Sequence, residues 1–187
     1  MLIGEKVILE EIDPMNIEQL RQWRNTPEIR QWFREYRDIT KDMQNKWYEE
    51  RGNNTNPDHI YFQIMSKDTE CITETSRIDK RYIIGCTGLL YINWRLRSAE
   101  FSLYLGKDRG QGKGKEALSL LCDYGFRELN LHKIWAEVYD GNSSINLYHK
   151  IGFKDEGILR DNCFHNGKYS NSIHLSYLED EWRQKQK

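Results

Sequence analysis

One mixed α/β domain is the fold this sequence predicts, and three observations lead there. A strand and two helices come first, apolar strand-like segments then follow one another without an intervening helix, and the C-terminal half alternates helix and strand before closing on two strands. At 187 residues the chain is long enough for one well-filled core and short for two. No internal repeat, low-complexity tract or linker divides it, so residues 1–187 are expected to form a single domain.

The elements follow in order. "KVILEEI" (6–12) is an apolar opening strand, and "DPMNIEQLRQWRN" (13–25) a helix with Pro14 in the first turn, where a missing N–H costs nothing. "ITKDMQNKWYEERG" (39–52) reads as a second helix between the N-cap candidate Thr40 and Gly52. "HIYFQIM" (59–65) and "RYIIGCTGLLYI" (81–92) are β-branched and aromatic strands, and the polar stretch 66–80 between them is an exposed hairpin excursion. In "SAEFSLYLG" (98–106), Phe101, Leu103 and Leu105 alternate with Glu100, Ser102 and Tyr104, as a strand with two unlike faces requires. "KEALSLLCDYGFRELN" (115–130) repeats apolar residues at helical spacing. "KIWAEVYD" (133–140) is a strand, and "SSINLYHKIG" (143–152) a short helix ending at Gly152. The last two strands, 153–164 and 168–178, turn at "HNG".

Composition excludes several functions. Lys and Arg total 28 against 29 Asp and Glu, so no global basic field points to nucleic acid or to an anionic membrane. The four cysteines (Cys71, Cys86, Cys122, Cys163) form no Cys-x-x-Cys pair and have no histidine at ligand spacing, so reduced thiols and no metal are expected. The N-terminus is too acidic for a signal peptide, and no apolar run approaches the roughly 20 residues of a membrane span. A soluble cytoplasmic protein is the expectation.

"LGKDRGQGKGKEA" (105–117) packs four glycines and four cations between a strand and a helix. It is not a Walker A loop, because neither Gly-Lys pair has the earlier glycine at the required distance. Gly112, Gly114 and Ala117 satisfy G-x-G-x-x-A, with Asp140 after the next strand, but the meander before and the hairpin after lack the parallel units of a dinucleotide fold. What remains is a strand-to-helix loop, Arg109-x-x-Gly112-x-Gly114, whose glycines let the backbone approach an anion and whose amides point at it.

That loop resembles the acetyl-CoA binding loop of the GCN5-related N-acetyltransferase (GNAT) superfamily. The likeness continues in "WAEVYDGNSSINLYHKIGFKDEG", a strand, an Asn, a short helix carrying a Tyr and a Gly-Phe opening the next strand, and in "IIGCTGLLYI" and "SAEFSLYLG" upstream. "QWRNTPEIRQW" and "GILRDNCFHNGKYSNSIHLSYLEDEW" are similar to the branch that includes ribosomal-protein N-terminal and sugar-nucleotide amine acetyltransferases. Two departures stand out. Tyr148 follows Asn142 by six positions where the family has seven, and "GKYSNS" carries Asn171 where an Asp is frequent.

The resemblance implies an α+β fold with a mixed, mostly antiparallel sheet of about seven strands and about four flanking helices. It implies an N-acetyltransferase that uses acetyl-CoA, with no metal. The acceptor would be a primary amine, that of a nucleotide-linked amino sugar first and a protein N-terminus second; a non-catalytic acetyl-CoA sensor is the alternative of another class. A homodimer is the expected assembly, with no nucleic-acid or membrane partner. Backbone groups of Leu103, Tyr104 and Leu105 would hold the pantetheine arm together with Asn142. Arg109, Gly110, Gln111, Gly112, Lys113, Gly114 and Lys115 would seat the pyrophosphate, with Lys113 and Lys115 at its rim.

Transfer of an acetyl group to an amine also needs an acid and a base. Tyr148 matches the family's tyrosine near the sulfur and is the candidate acid. Glu100 is the candidate base, directly or through a water, or else an edge carboxylate in a salt bridge; Glu137 shares the ambiguity. Arg24, Asn25 and Trp32 are the candidate acceptor-binding residues, Arg24 for a phosphate or carboxylate and Trp32 for stacking; the alternative is that they are core and helix-end residues. His149 reads as surface, His132 and His174 as structural.

Overall fold

The structure is a computed structural model that describes residues 1–73 and 76–186, with side chains described outside 68–80. The reduced state expected of Cys71 and the surface character expected of side chains 68–80 lie outside those residues.

Eight strands form one sheet: β1 (Leu2–Ile3), β2 (Val7–Glu10), β3 (Ile60–Thr73), β4 (Ser76–Asn93), β5 (Ser98–Leu105), β6 (Lys133–Tyr139), β7 (Lys154–His165) and β8 (Lys168–Leu178). Their spatial order is β1-β2-β3-β4-β5-β6-β8-β7. All neighbours are antiparallel except β5 and β6. A parallel pair needs a crossover, and α4 (Lys113–Arg127) supplies it. The sheet is thus the mixed, mostly antiparallel one expected, with β1 added.

Side-chain parity gives the sheet two unlike faces. Ala99 and Phe101 on β5, Ile134, Ala136 and Val138 on β6, and Leu175 and Tyr177 on β8 point into one core. There α4 lays down Ala117, Leu118, Leu121, Cys122 and Phe126, all at most 1 % exposed; burying each larger apolar side chain contributes about 1.5–3 kcal/mol. The opposite face is covered over β3, β4 and β5 by α1 (Ile17–Asn25), α2 (Pro27–Arg30) and α3 (Lys41–Trp47), which bring Leu20, Trp23 and Ile29 onto Tyr61 and Cys86.

The Thr40 cap forms as the sequence predicts, Asp13 adds a cap the sequence reading did not name, and the serine cap expected on the short helix 143–152 is not made by Ser144. Thr40 Oγ1 accepts from Met43 N at 3.2 Å, and Asp13 Oδ1 accepts from Met15 N at 2.9 Å at a 3₁₀ turn leading into α1. The turn after β7 carries Asn166 and Gly167, both at positive φ (51° and 74°), as a tight hairpin demands.

α5 (Ile145–Ile151) is the short helix expected before Gly152; two further helices, α2 and α6 (Glu179–Lys185), were not expected. The apolar anchor of α6 is Trp182, which is buried against Phe126 and donates from Nε1 to Asp123 Oδ1 at 2.5 Å; Glu179 and Lys185 add polar ties to Arg97 and to Ile151 O. The second helix is also shorter than expected, since α3 passes into a π-helical turn at Tyr48–Gly52.

Candidate active site

The site is a fork in the sheet. β5 pairs with β6 only at Ser98/Lys133, Ala99/Ile134 and Glu100/Trp135, yet β5 stays paired with β4 as far as Leu105 and β6 with β8 as far as Tyr139. Beyond Glu100 the two strands therefore diverge, each secured on its outer side.

Hydrogen-bond parity says what lines this gap. Gly106 N bonds Ile84 O at 2.7 Å next to the pair Gly85/Leu105, so Leu105 belongs to the residues that do not bond β4 and Tyr104 to those that do. Thr87 Oγ1 donates to Ser102 O at 2.8 Å, which puts the Ser102 carbonyl on the β4 side too. Leu103 and Leu105 consequently turn their main-chain groups into the fork. The expectation for Tyr104 is corrected: its main chain is committed to β4, and its hydroxyl donates to Leu20 O at 3.4 Å on α1. An extended ligand arm added as a strand would find its partners at Leu103 and at Leu105 N, since Leu105 O already accepts from Arg109 Nε at 2.8 Å.

Beyond Leu105 the glycine loop turns toward α4. Asp108, Gly110 and Gly112 take positive φ (56°, 80° and 80°), and Gly112 stands at the N-cap of α4 with no side chain capping the first turn. The first amides of a 15-residue helix are thus left for an anion, beside the exposed Gln111 and Lys115. This backbone fits a pyrophosphate.

Lys113 does not lie at the rim. It is 3 % exposed and turned inward, where Nζ donates to Asp108 Oδ2 at 2.7 Å and Ser66 Oγ at 2.8 Å. Tyr82 donates its hydroxyl to the same Asp108 oxygen at 2.8 Å. The side chain that reads as a phosphate ligand is a strut that holds the loop to β3 and β4. Outside the loop, a cleft of about 390 Å³ lies between Gly106–Arg109 and the α1–α2 corner, where Trp23 covers Gly106.

At the end of β6, Asn142 lines a second cleft of about 250 Å³ with Tyr139, Ile145 and Ile173. Its Oδ1 accepts from Ser144 N at 3.0 Å, so the side chain shapes the entry to α5.

Tyr148 rises from α5 to the crotch of the fork on the α4 face, edge-on to Phe101 at 5.0 Å between ring centres. It is 7 % exposed. Burial pushes its phenol up to about 12, against a smaller opposing effect of a hydrogen bond with Ser144. The hydroxyl is protonated at every physiological pH.

Glu100 meets the fork from the other face. Its side chain is 12 % exposed and held bidentately by Arg34, with Nη1 to Oε2 at 3.0 Å and Nη2 to Oε1 at 2.8 Å. Arg34 Nη2 also reaches Glu137 Oε2 on β6 at 3.3 Å, and Glu137 Oε1 accepts from Asn162 Nδ2 at 2.6 Å. Two carboxylates, one on each arm, therefore face one another across the opening. Burial works against the charge of Arg34, but the hydrogen bonds and field of Glu100, then Glu137, hold its guanidinium above the usual range. Sequence reading missed Arg34 altogether.

Of the other candidates, Asn25 is structural: its amide donates to Ile39 O at 2.9 Å and accepts from Ile39 N at 2.8 Å, closing the segment 31–40 onto α1. Arg24 lies 3.5 Å over the Phe33 ring with Nη1 buried and unpaired, and burial lowers its pKa. Trp32 is half-buried in the same segment. His149 is a surface residue that meets Asp155 at 2.8 Å; His174 stacks on Trp135 at 4.8 Å and faces Glu156 at 3.3 Å. Among the described residues no group of His, Cys, Asp and Glu is arranged to hold a metal, and no helix is long and apolar enough to cross a membrane.

Residues 6–154 match the acetyltransferase (GNAT) domain. The chain belongs to the GNAT family. Spermidine N(1)-acetyltransferase of Escherichia coli K12 is 30 % identical over 145 residues, 73 % of this chain and 74 % of that one. In structure, spermidine N-acetyltransferase from Vibrio cholerae in complex with CoA and spermine superimposes with a TM-score of 0.82 at 23 % identity, covering 96 % of this chain and 99 % of the other. A dodecameric form of the Vibrio enzyme gives 0.77 at 22 % identity, covering 98 % and 100 %. As a GNAT member the chain is an N-acetyltransferase that uses acetyl-CoA. Membership of the ribosomal-protein and sugar-nucleotide branch is not what these relatives indicate.

Proposed function

We propose that the protein transfers the acetyl group of acetyl-CoA to a primary amine of a polyamine such as spermidine. The observation that carries this reading is the pair of carboxylates, Glu100 on β5 and Glu137 on β6, facing each other across the fork. A polycation is the acceptor such a mouth attracts. The nucleotide-linked amino sugar expected from the sequence would bring a diphosphate to this face, and Arg24, the cation assigned to it, lies folded over Phe33. The resemblance to spermidine acetyltransferases points the same way.

Acetyl-CoA, when bound, supplies the acetyl group as a thioester. Leu103 N–H, turned into the fork, is the donor best placed to polarise a carbonyl there. Tyr148 Oη holds a proton on the α4 face and releases it toward a departing thiolate. On the opposite face Glu100 accepts the proton that the acceptor ammonium must lose before it can attack, and Glu137 holds the remaining positive charge. The expected homodimer is extended to a larger assembly on the likeness to the dodecameric enzyme, which light scattering of the purified protein measures.

The test is a panel of acceptors: spermidine, spermine, putrescine, a nucleotide-linked amino sugar and a peptide with a free N-terminus, with CoA release followed by a thiol reagent. Turnover is expected with the polyamines, and Glu137→Gln is expected to raise their KM. Release with the peptide or the amino sugar and none with any polyamine would overturn the reading.

A further inference from the structure

The Glu100–Arg34–Glu137 bridge goes beyond the reading just given and rests on it. Arg34 belongs to the segment 31–40 between α2 and α3, which has turns but no helix or strand. Its neighbours in charge are otherwise occupied: Arg37 pairs with Glu35 at 2.7 Å, and Arg30 pairs with Asp38. Arg34 alone of these three arginines reaches the sheet, and it lands where a substrate cation belongs.

Exposure is divided unevenly across the bridge. The Arg34 side chain is 50 % exposed, whereas Glu100 and Glu137 are 12 % and 13 % exposed. The carboxylates are parts of strands and stay; the guanidinium stands on an irregular segment and can swing into water. Glu137 keeps a second partner in Asn162, itself 3.1 Å from Ser172 Oγ, so its position does not depend on Arg34. Glu100 has only Arg34 among its described side-chain partners.

Formal charge then decides which amines enter. With Arg34 in place the cluster carries one net negative charge, and with Arg34 displaced it carries two. A monoamine that expels the guanidinium only restores the single negative charge and cannot bridge both carboxylates as Arg34 does, so one partly buried carboxylate loses its ionic partner, a costly exchange. An acceptor with two or more ammonium groups neutralises both.

We propose that Arg34 is a specificity-determining residue: a displaceable stand-in for the substrate cation, through which the site accepts polyamines and rejects monoamines. Rejection by an uncompensated buried charge discriminates without any contact to the wrong acceptor. Displacement also releases Glu100, so the carboxylate becomes available as a base only when a polycation is bound.

The experiment compares kcat/KM for spermidine and for propylamine in the wild type, Arg34→Gln and Arg34→Lys, each at saturating acetyl-CoA. Arg34→Gln is expected to reduce the spermidine-to-propylamine ratio by about tenfold, chiefly through a lower KM for propylamine, while Arg34→Lys keeps most of the ratio. An unchanged CoA affinity and melting temperature in both variants is the folding control, since the residue is half exposed. If the wild type turns over spermidine and Arg34→Gln leaves the ratio within about twofold, or lowers both substrates equally, the stand-in role is overturned and the polyamine reading stands. If the wild type neither binds spermidine by calorimetry nor acetylates it, the polyamine reading falls and the role of Arg34 falls with it.

Discussion

Replacing Lys113 by methionine separates two roles that the same residue could have had. If Lys113 is a strut, the loss is one of stability. The variant deletes the hydrogen bonds to Asp108 (2.7 Å) and Ser66 (2.8 Å) and leaves Asp108 without its cation. Breaking a buried pair costs about 3–5 kcal/mol, and a charged hydrogen bond about 1.5–3 kcal/mol. Asp108 is 20 % exposed and keeps the Tyr82 hydroxyl, so the smaller, charged-hydrogen-bond figure applies, about 2–3 kcal/mol. For a chain of this size that is a fall in Tm of about 5–10 °C. Thermal melting by circular dichroism reads it, and titration with CoA reads the second role. Adding Asp108→Asn should recover part of the stability, because both charges then leave together. An unchanged Tm with CoA affinity more than about tenfold weaker would refute the strut and return Lys113 to the phosphates.

Three further outcomes follow from the same geometry. Tyr148→Phe removes the acid while keeping the ring against Phe101, so kcat should fall about 100-fold with KM for acetyl-CoA nearly constant; an unchanged kcat removes Tyr148 from the chemistry. Gly112→Val places a β-branched residue at φ 80°, at a cost of about 1–2 kcal/mol, and CoA should bind about tenfold more weakly by calorimetry; retained affinity counts against the anion seat. Burial pushes Tyr148, Tyr177 and Cys86 up to about 12 from 10.0, 10.0 and 9.0. The unfolded chain therefore loses protons that the folded chain keeps. Stability is full below pH 9 and falls as pH rises from 9 to 12, which denaturation midpoints at a series of pH values check; a flat profile across that window would contradict it.

Much of this fold is written locally, and what is not depends on distant partners. α4 shows itself through Ala117, Leu118 and Leu121 at helical spacing, β5 through its alternation, and the last hairpin through Asn166-Gly167, because in each the cause lies within a few residues. α6 does not: its polar sequence has one buried apolar residue, Trp182, whose partner Asp123 is 59 residues away. Arg34 reads as one charge among many in "FREYRD", since Glu100 and Glu137 lie 66 and 103 residues further on. Lys113 looked solvated for the same reason, its partner Ser66 being 47 residues upstream. Tyr104 fails differently. Alternation tells which face a side chain takes, but which strand its main chain bonds depends on register with β4.

The fork needs no special sequence of its own; it follows from two ladders that stop at different places. β5 is complete on its β4 side and β6 on its β8 side, so three parallel pairs are all the contact the two arms require of each other. The first residue past those pairs is Phe101, and its ring lies 5.0 Å from Tyr148 and 5.0 Å from Phe153. The aromatic cluster filling the crotch on one face is thereby also what fixes the phenol. On the other face parity does the rest: Glu100 is the last paired residue of β5, and Glu137 stands two residues beyond its partner Trp135 on β6. Extending the parallel ladder by one residue on each strand would set Phe101 against Ala136 and close the gap into which Leu103 turns. A ladder of this length therefore leaves an unpaired strand edge, an acid above it and two carboxylates below it in a single place.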